Sequence, residues 1–406
     1  MSAPPTPGPS YTDAVTAWAE HLRSGGTTPW SAWSPQTAEP AGPQPGSPPM
    51  AETTPLPDAI HLELVRRLNL AAGPDANDLR GLADRVFATA APGRGLLDVP
   101  LPWPDAPRPF GTPAMDPSGL PEEELVRLTV GVLAHLLPGL QPPAPTAQPS
   151  PWPAPWRRRF RLHGAPSTVA AVRRGLLAQG YVETDWRPTH VVIARPVEVM
   201  MAEHWAATVR NGGILKWSTT WRRAQAAGHL PAPIDVTRIV ERLRDRRREP
   251  LHVVVARDAD RAAALVTAAL GARPIDLRST GDAALSDLLR RLNRLTGLTQ
   301  GQDRVRDVAR TLVAVLEEDR DDAVVARRRT TPPASTPATP PASLPWAREV
   351  AAGMAERLRR DGYAVHGDPD ALVPTDHPLP GTIDRERTLE LAVTALLRTW
   401  HWGGQP

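Results

Sequence analysis

Apolar and polar positions follow the same order in two stretches of the chain. The segment from Phe160 to Gly164, with apolar Phe160 and Leu162, predicts a short strand, and a polar turn then leads into an amphipathic helix that extends to Gln179. The order recurs at Leu251 to Ala256, before a helix to Leu270 whose apolar residues recur at helical spacing. Both stretches therefore predict a strand followed directly by a helix.

A third strand and helix follow the first pair. The segment from His190 to Ala194 is almost wholly apolar, which is typical of a strand buried on both faces. A helix is predicted from Pro196 to Asn211. Strand, helix and strand in this order predict an α/β fold with a parallel or mixed sheet and flanking helices. We expect the C-terminal region to add one strand to this sheet and its last helix, Arg387 to Trp400, to cover one face.

Proline-rich segments divide the chain. Segments rich in Pro, Ala, Ser and Thr bury too little apolar surface to offset the entropy of ordering, so we interpret them as linkers. The linkers are 35–58, 138–156 and 329–345. The predicted regions are a mostly disordered N-terminus (1–56) with a short helix near 11–22, a helical region (57–137), the α/β core (157–328) and a small helix-strand-helix region (346–406).

Composition narrows the possible classes of protein. The 406 residues include 49 prolines but no cysteine, which excludes disulfides, thiolate nucleophiles and Cys-ligated metals. Basic and acidic residues nearly balance at 47 and 44, which disfavours a nucleic-acid partner despite the high isoelectric point. Neither a signal-peptide pattern nor a long apolar run is present, so we expect a cytoplasmic protein without a membrane partner.

The turn after the first strand carries candidate chemistry. If the strands ending at Gly164 and Ala194 are neighbours, the helices that follow them begin at one crevice. Helix N-termini bind phosphate or sulfate through free N–H groups, and Ser167, Thr168 and Arg195 would add a hydroxyl or guanidinium contact. The alternative interpretation is that Ser167 merely caps its helix and that no ligand binds.

At these residues the chain resembles the sulfotransferases that use 3′-phosphoadenylyl sulfate as donor. The turn from Gly164 to Thr168 stands for their phosphate-binding turn, and Ala194 to Val199 for their Arg-containing start of a later helix. The resemblance covers residues 157–280. It implies a nucleotide-dependent group transferase that binds the donor through Gly164, Ser167, Thr168 and Arg195.

Sulfuryl transfer to a hydroxyl needs a general base, and three residues near these elements have suitable side chains. They are His163, Glu203 and His204. His204 also falls on the apolar stripe of its helix, so a core position is the competing interpretation of this residue.

A metal-dependent glycosyltransferase is a second enzymatic alternative. Asp258 and Asp260 follow an apolar strand as Asp-x-Asp, a pattern in which two carboxylates can bind the cation that bridges a nucleotide diphosphate. Either aspartate is equally suited to cap the next helix. We therefore predict no metal for the preferred transferase interpretation.

A non-catalytic interaction or scaffold protein with an α/β core is the remaining alternative. Five tryptophans lie in or beside proline-rich segments, where they can dock onto the protein itself or onto a protein partner. They are Trp30, Trp33, Trp103, Trp152 and Trp156. An open crevice at Arg195 would favour the enzyme, and a filled one would favour the scaffold.

Overall fold

The computed structural model describes residues 10–33, 58–73, 79–90, 101–102, 114–140, 158–244, 250–275, 282–317, 336–375 and 383–403. Within these ranges the protein is mixed α/β, with five parallel strands and flanking helices, as the sequence predicts. Most of the predicted linkers 35–58 and 138–156 lies outside the described residues, so these boundaries remain predictions.

The chain divides into two compact units that are both discontinuous in sequence. The first comprises Met1–Pro142, Leu295–Asp321 and Arg385–Pro406, and the second comprises Pro143–Arg294 and Asp322–Asp384. This division differs from the predicted regions, because the segment before the linker at 329–345 and the final helix both belong to the first unit.

Helices build the first unit. They are α1 (Tyr11–Arg23), α2 (Ala59–Ala72), α3 (Arg80–Phe87), α4 (Glu122–Leu136), α11 (Gln302–Glu317) and α13 (Arg385–Trp402). The helix predicted near 11–22 is α1, and a capping box between Ser10 and Asp13 starts it. We expected the last helix to cover the sheet, which is wrong: α13 packs on α4 and buries Leu389 and Leu396 in the first unit.

The second unit contains the sheet. Its strands are β1 (Arg159–Gly164), β2 (Val182–Glu183), β3 (Thr189–Ala194), β4 (Leu251–Val255) and β5 (Ala364–Gly367). Its helices are α5 (Pro166–Ala178), α6 (Val197–Arg210), α7 (Trp217–Ala227), α8 (Val236–Arg244), α9 (Ala259–Leu270), α12 (Leu344–Arg360) and most of α10 (Ala283–Thr296).

All five strands are parallel, in the order β2-β1-β3-β4-β5. The chain moves outward on one side from β1 to β2 and on the other side from β3 to β5. This change of direction between β1 and β3 is where ligand crevices form in open α/β sheets, at the carboxyl ends of the strands. The predicted neighbourhood of the first and third strands is confirmed by the pairing of Gly164 with Ile193.

Both faces of the sheet are covered. Helices α5 and α9 pack on one face, where Leu162, Ile193 and Val254 join a cluster with Val172 and Val266. The alternate residues Val192, Val253 and Val255 are also buried, on the face where α8 contacts β1 and β3. Burial on both faces explains the unbroken apolar runs of the central strands, Val191 to Ala194 in β3 and Val253 to Val255 in β4.

Part of the predicted linker 329–345 is held against the α/β unit. Residues 329–335 lie outside the described ranges, but Trp217 Nε1 on α7 donates a hydrogen bond to the Ala338 carbonyl oxygen at 2.7 Å. Gln225 of the same helix bonds the Ser343 hydroxyl at 3.0 Å. Side chains of α7 therefore hold part of this predicted linker in place, because they satisfy polar groups of Ala338 and Ser343.

Among the described helices, none is both long and apolar enough to cross a membrane.

Candidate functional site

The candidate site begins where β1 approaches β3 most closely. Gly164 has φ of 107°, and a Cβ at this position would collide with the carbonyl oxygen of Ile193. The next residue, Ala165, donates its N–H to the same oxygen at 3.2 Å. Glycine at 164 therefore lets the start of α5 lie directly beside the end of β3.

The four predicted donor groups at this point converge on one carboxylate of the chain itself. Glu203 Oε2 accepts hydrogen bonds from the N–H groups of Ser167 at 2.9 Å and Thr168 at 3.0 Å. Its Oε1 accepts from Thr168 Oγ1 at 2.8 Å and from Arg195 Nη1 at 2.7 Å. Glu203 thus occupies the place at the helix N-terminus that the sequence assigns to a ligand anion.

Helix α6 positions Glu203, and the end of β3 positions Arg195. Pro196 is the N-cap of α6, and Glu203 lies about two turns into that helix with 9% of its surface exposed. Arg195 comes from the end of β3, and its Nη2 also donates to the Arg257 carbonyl oxygen at 3.1 Å. The pair is largely shielded from solvent and is supported by the N–H groups and the hydroxyl of α5, which is the geometry that makes such an ion pair tolerable.

The prediction that Ser167 caps α5 is wrong. The N-cap is Ala165, and Pro166 occupies the first turn, where its missing N–H has no consequence. Ser167 Oγ is buried without a hydrogen-bond partner in the described part of the chain. Glu203 performs the capping instead, from a position 36 residues further along the chain, a distance at which local sequence rules have no force.

Of the three predicted acid/base residues, only Glu203 lies in this cluster. His163 Nε2 is 3.1 Å from Nδ1 of His190, on the neighbouring strand β3. Because one nitrogen must donate and the other accept, this contact joins the two imidazoles in complementary tautomers.

His204 follows Glu203 on α6 and is partly buried, and this burial lowers the pKa of its imidazole. No hydrogen bond from the ring is present among the described residues. The partly buried position of His204 agrees with its place on the apolar stripe of α6.

Sequence reasoning missed one buried acid. Glu198, in the first turn of α6, is 5% exposed, and its Oε2 has no hydrogen-bond partner within the described ranges. Burial raises the pKa of Glu198, while the Thr375 backbone and the charges of Arg257 and Arg195 partly oppose this rise. The sequence did contain a signal: Glu198 is an acidic residue three positions after Arg195, which directly follows β3.

The alternative metal site is not formed by the described residues. Asp258 is the N-cap of α9, and its carboxylate accepts a hydrogen bond from the Arg261 N–H at 2.6 Å. Asp260 lies in the first turn of the same helix. No group of three or more His, Asp or Glu side chains suited to a cation occurs in the described ranges.

Two of the tryptophans beside proline-rich segments dock onto the first unit. Trp30 is 6% exposed, packs against Trp18 and donates Nε1–H to the Pro102 carbonyl oxygen at 3.1 Å. The Trp33 ring lies 4.7 Å from that of His21. Self-docking is therefore the observed role of both, whereas Trp103, Trp152 and Trp156 lie outside the described residues.

We compared the chain with protein-family models, curated proteins and solved structures, and none of them matches it.

Proposed function

We propose that the second unit is a non-catalytic interaction module that docks an extended proline-rich segment of protein chain. The observation that carries this proposal is the filled anion position at the N-terminus of α5. Glu203 takes the hydrogen bonds of Ser167, Thr168 and Arg195 that a donor nucleotide would need.

Displacing this carboxylate is unfavourable. A ligand phosphate would make the same kinds of hydrogen bond that Glu203 already makes, so only the difference between the two would contribute to affinity. Glu203 is also attached to the adjacent helix, which gives it a high effective concentration at the site. Moving it would separate a buried ion pair, a change that typically costs about 3–5 kcal/mol.

The face of α7 that carries Trp217 and Gln225, called here the tryptophan surface, supports the proposed interaction function. Trp217 donates to the Ala338 carbonyl oxygen, and Gln225 contacts both Ala342 and Ser343. Pro337 is buried in this segment. Indole N–H groups that bond the carbonyls of an extended proline-rich chain are the contacts that known proline-recognition grooves use.

To test this proposal, a peptide replaces the segment of the chain that is docked on α7. In a Pro337→Glu variant we expect the chain's own segment to leave α7, because a carboxylate would replace a buried apolar ring. A peptide with the sequence of residues 336–344 should then bind in trans and change tryptophan fluorescence, whereas the wild-type protein should not bind it. A peptide carrying the same Glu is the matched control. Failure of the variant to bind the unmodified peptide would contradict the proposal.

A nucleotide-dependent, sulfotransferase-like transferase is the second candidate, favoured by the convergence of Thr168 and Arg195 at the β1/β3 crevice. Arg195 Nε and Ser167 Oγ still lack partners among the described residues. In this alternative Glu203 rotates away and phosphates of 3′-phosphoadenylyl sulfate replace it.

A thermal-shift titration with adenosine 3′,5′-bisphosphate distinguishes the two candidates, because a ligand raises the melting temperature by mass action. The interaction module predicts no rise that depends on Arg195. A concentration-dependent rise that is lost in Arg195→Ala and in Thr168→Val, each compared with its own ligand-free melting temperature, would instead establish the transferase site.

A further inference from the structure

The opposite edge of the sheet holds an open cavity. It has a volume of about 440 Å³ and is lined by residues at the starts of β1, β3 and β4 and at the end of α9. We call this end the amino edge of the sheet, and the end that carries Glu203 the carboxyl edge. Cavities of this size accommodate small organic ligands.

Three arginines line the cavity, and none of them has an acidic partner among the described residues. Arg158, Arg159 and Arg187 have no carboxylate within ion-pair distance among the described residues. Nearby arginines behave differently, since Arg173 Nε lies 2.7 Å from Glu183 and Arg161 lies near both Glu183 and Asp185. Among the described residues that line the cavity, none has an acidic side chain.

The end of α9 positions the first of these arginines. Arg158 Nη1 donates to the carbonyl oxygens of Leu270 at 2.7 Å and Gly271 at 3.0 Å. Tyr181 Oη lies 3.3 Å from the same Leu270 oxygen. The carbonyl end of a helix favours a cation, so Arg158 is held in place while it keeps its full charge.

The short connection between β2 and β3 positions the other two. The Arg159 guanidinium lies 4.0 Å from the centre of the Trp186 ring, and that of Arg187 lies 5.9 Å away. Arg187 has φ of 46°, and it is the single residue other than glycine in the described ranges with a positive φ. Strained backbone of this kind persists where surrounding contacts or a ligand require it.

The cavity also contains neutral polar groups. His252 lines it and bonds His366 on β5 through an Nδ1 to Nε2 contact of 3.0 Å. Burial, with a smaller effect of His366, lowers the pKa of His252. Because Nδ1 of His252 is engaged with His366, its Nε2 is the ring nitrogen that can hydrogen-bond a ligand.

We propose that this cavity binds a small phosphorylated molecule, whose phosphate oxygens pair with Arg158, Arg159 and Arg187. Guanidinium groups bind phosphate through paired N–H donors, and three of them around one cavity suit a group that carries two charges or more. The site is separate from Glu203 and does not depend on the proposed docking of residues 336–344.

Calorimetric titration of the full chain with inorganic pyrophosphate, inorganic phosphate and glucose 6-phosphate at constant ionic strength tests this proposal. We expect saturable binding of pyrophosphate. Tighter binding of glucose 6-phosphate than of inorganic phosphate would identify a phosphate ester as the natural class, and the reverse order would identify the free anion.

Two variants and one control locate the site. Arg187→Ala and Arg159→Ala should each weaken pyrophosphate binding about tenfold, the effect expected for loss of one charge-assisted contact. Arg222→Ala on α7 removes an equal charge from another exposed position and should leave the affinity unchanged. Absence of saturable binding, or equal weakening in all three variants, would overturn the proposal. Because Arg187 is exposed, its replacement leaves the fold intact for this test.

Discussion

The two edges of the sheet differ in whether their arginines have a carboxylate partner. At the carboxyl edge, the partly buried Arg195 forms an ion pair with Glu203 at 2.7 Å. At the amino edge, Arg158, Arg159 and Arg187 line an open cavity without a carboxylate partner in the described ranges. The edge at which α/β proteins usually bind ligands is therefore closed by the chain itself, while the other edge keeps its positive charge available.

This difference shows that a sequence pattern suited to anions does not reveal whether the anion is a ligand. A carboxylate from an adjacent helix supplies the same charge and the same acceptor oxygens as a phosphate. Substitutions at the two edges of the sheet should therefore have different effects on stability and on anion binding.

Glu203→Ala should cause the largest loss of stability, up to about 3–5 kcal/mol, because it leaves the largely shielded Arg195 guanidinium without its carboxylate partner. Urea-induced unfolding measures this loss. Glu241→Gln is a suitable control, since the Glu241 side chain is 57% exposed and its contact with Arg357 is long at 3.7 Å; it should change stability by less than about 0.5 kcal/mol.

The same variant tests what fills the carboxyl edge. Inorganic sulfate should raise the melting temperature of Glu203→Ala more than that of the wild type, because the vacated donors can bind an anion. An equal rise in both proteins would show that Ser167, Thr168 and Arg195 do not form an anion site without Glu203.

Gly164→Ala should destabilise the fold by about 3 kcal/mol, because the new methyl group meets the Ile193 carbonyl oxygen and φ is unfavourable. Gly180→Ala is the matched control: its φ is 85°, but nothing lies within 4 Å of the added Cβ. It should cost about 1 kcal/mol. Similar unfolding midpoints for the two variants would contradict the close approach of β1 to β3.

Glu198→Gln should be more stable than the wild type at pH 7, and the difference should disappear at low pH. Burial raises the pKa of Glu198 above its ordinary value of 4.5, so the folded protein keeps a proton that the unfolded chain releases. Stability is therefore lost as pH rises through the raised pKa. Urea midpoints measured across this pH range check the sign, and an advantage that grows toward low pH would contradict it.

Arg187→Ala should have the smallest effect on stability, within about 0.5 kcal/mol, because its exposed side chain has no ion-pair partner among the described residues. The amino edge would then hold its charge for binding rather than for folding. A clearly larger loss in urea unfolding would assign Arg187 a structural role and weaken the contrast between the edges.

Most of the local structure could be predicted from the sequence. The boundaries of β1, β3 and α6 agree with the apolar pattern to within about one residue, because burial on both faces and proline at the helix start leave clear local signals. Asp258 was also correctly identified as a possible helix cap. Such features depend on residues close together in the chain.

The candidate site was only partly predictable. Thr168 and Arg195 do lie together, as the strand order implies, but Glu203 was interpreted as a base and not as their partner. The tryptophan surface of α7 and the docked segment 336–343 left no local signal, because their contacts join residues more than a hundred positions apart.

The sequence predicts the elements: short strands with buried apolar residues, helices that follow the turn after Gly164 and the cap at Asp258, and the residues able to bind an anion. The tertiary structure sets which carboxylate lies at the carboxyl edge and which arginines lack an acidic partner among the described residues. The physical reason is that capping and burial act over a few residues, whereas charge pairing depends on distances in space that the fold sets. Glu203 has a charged partner at 2.7 Å, whereas Arg187 has none among the described residues, and this separates a closed edge from an open one.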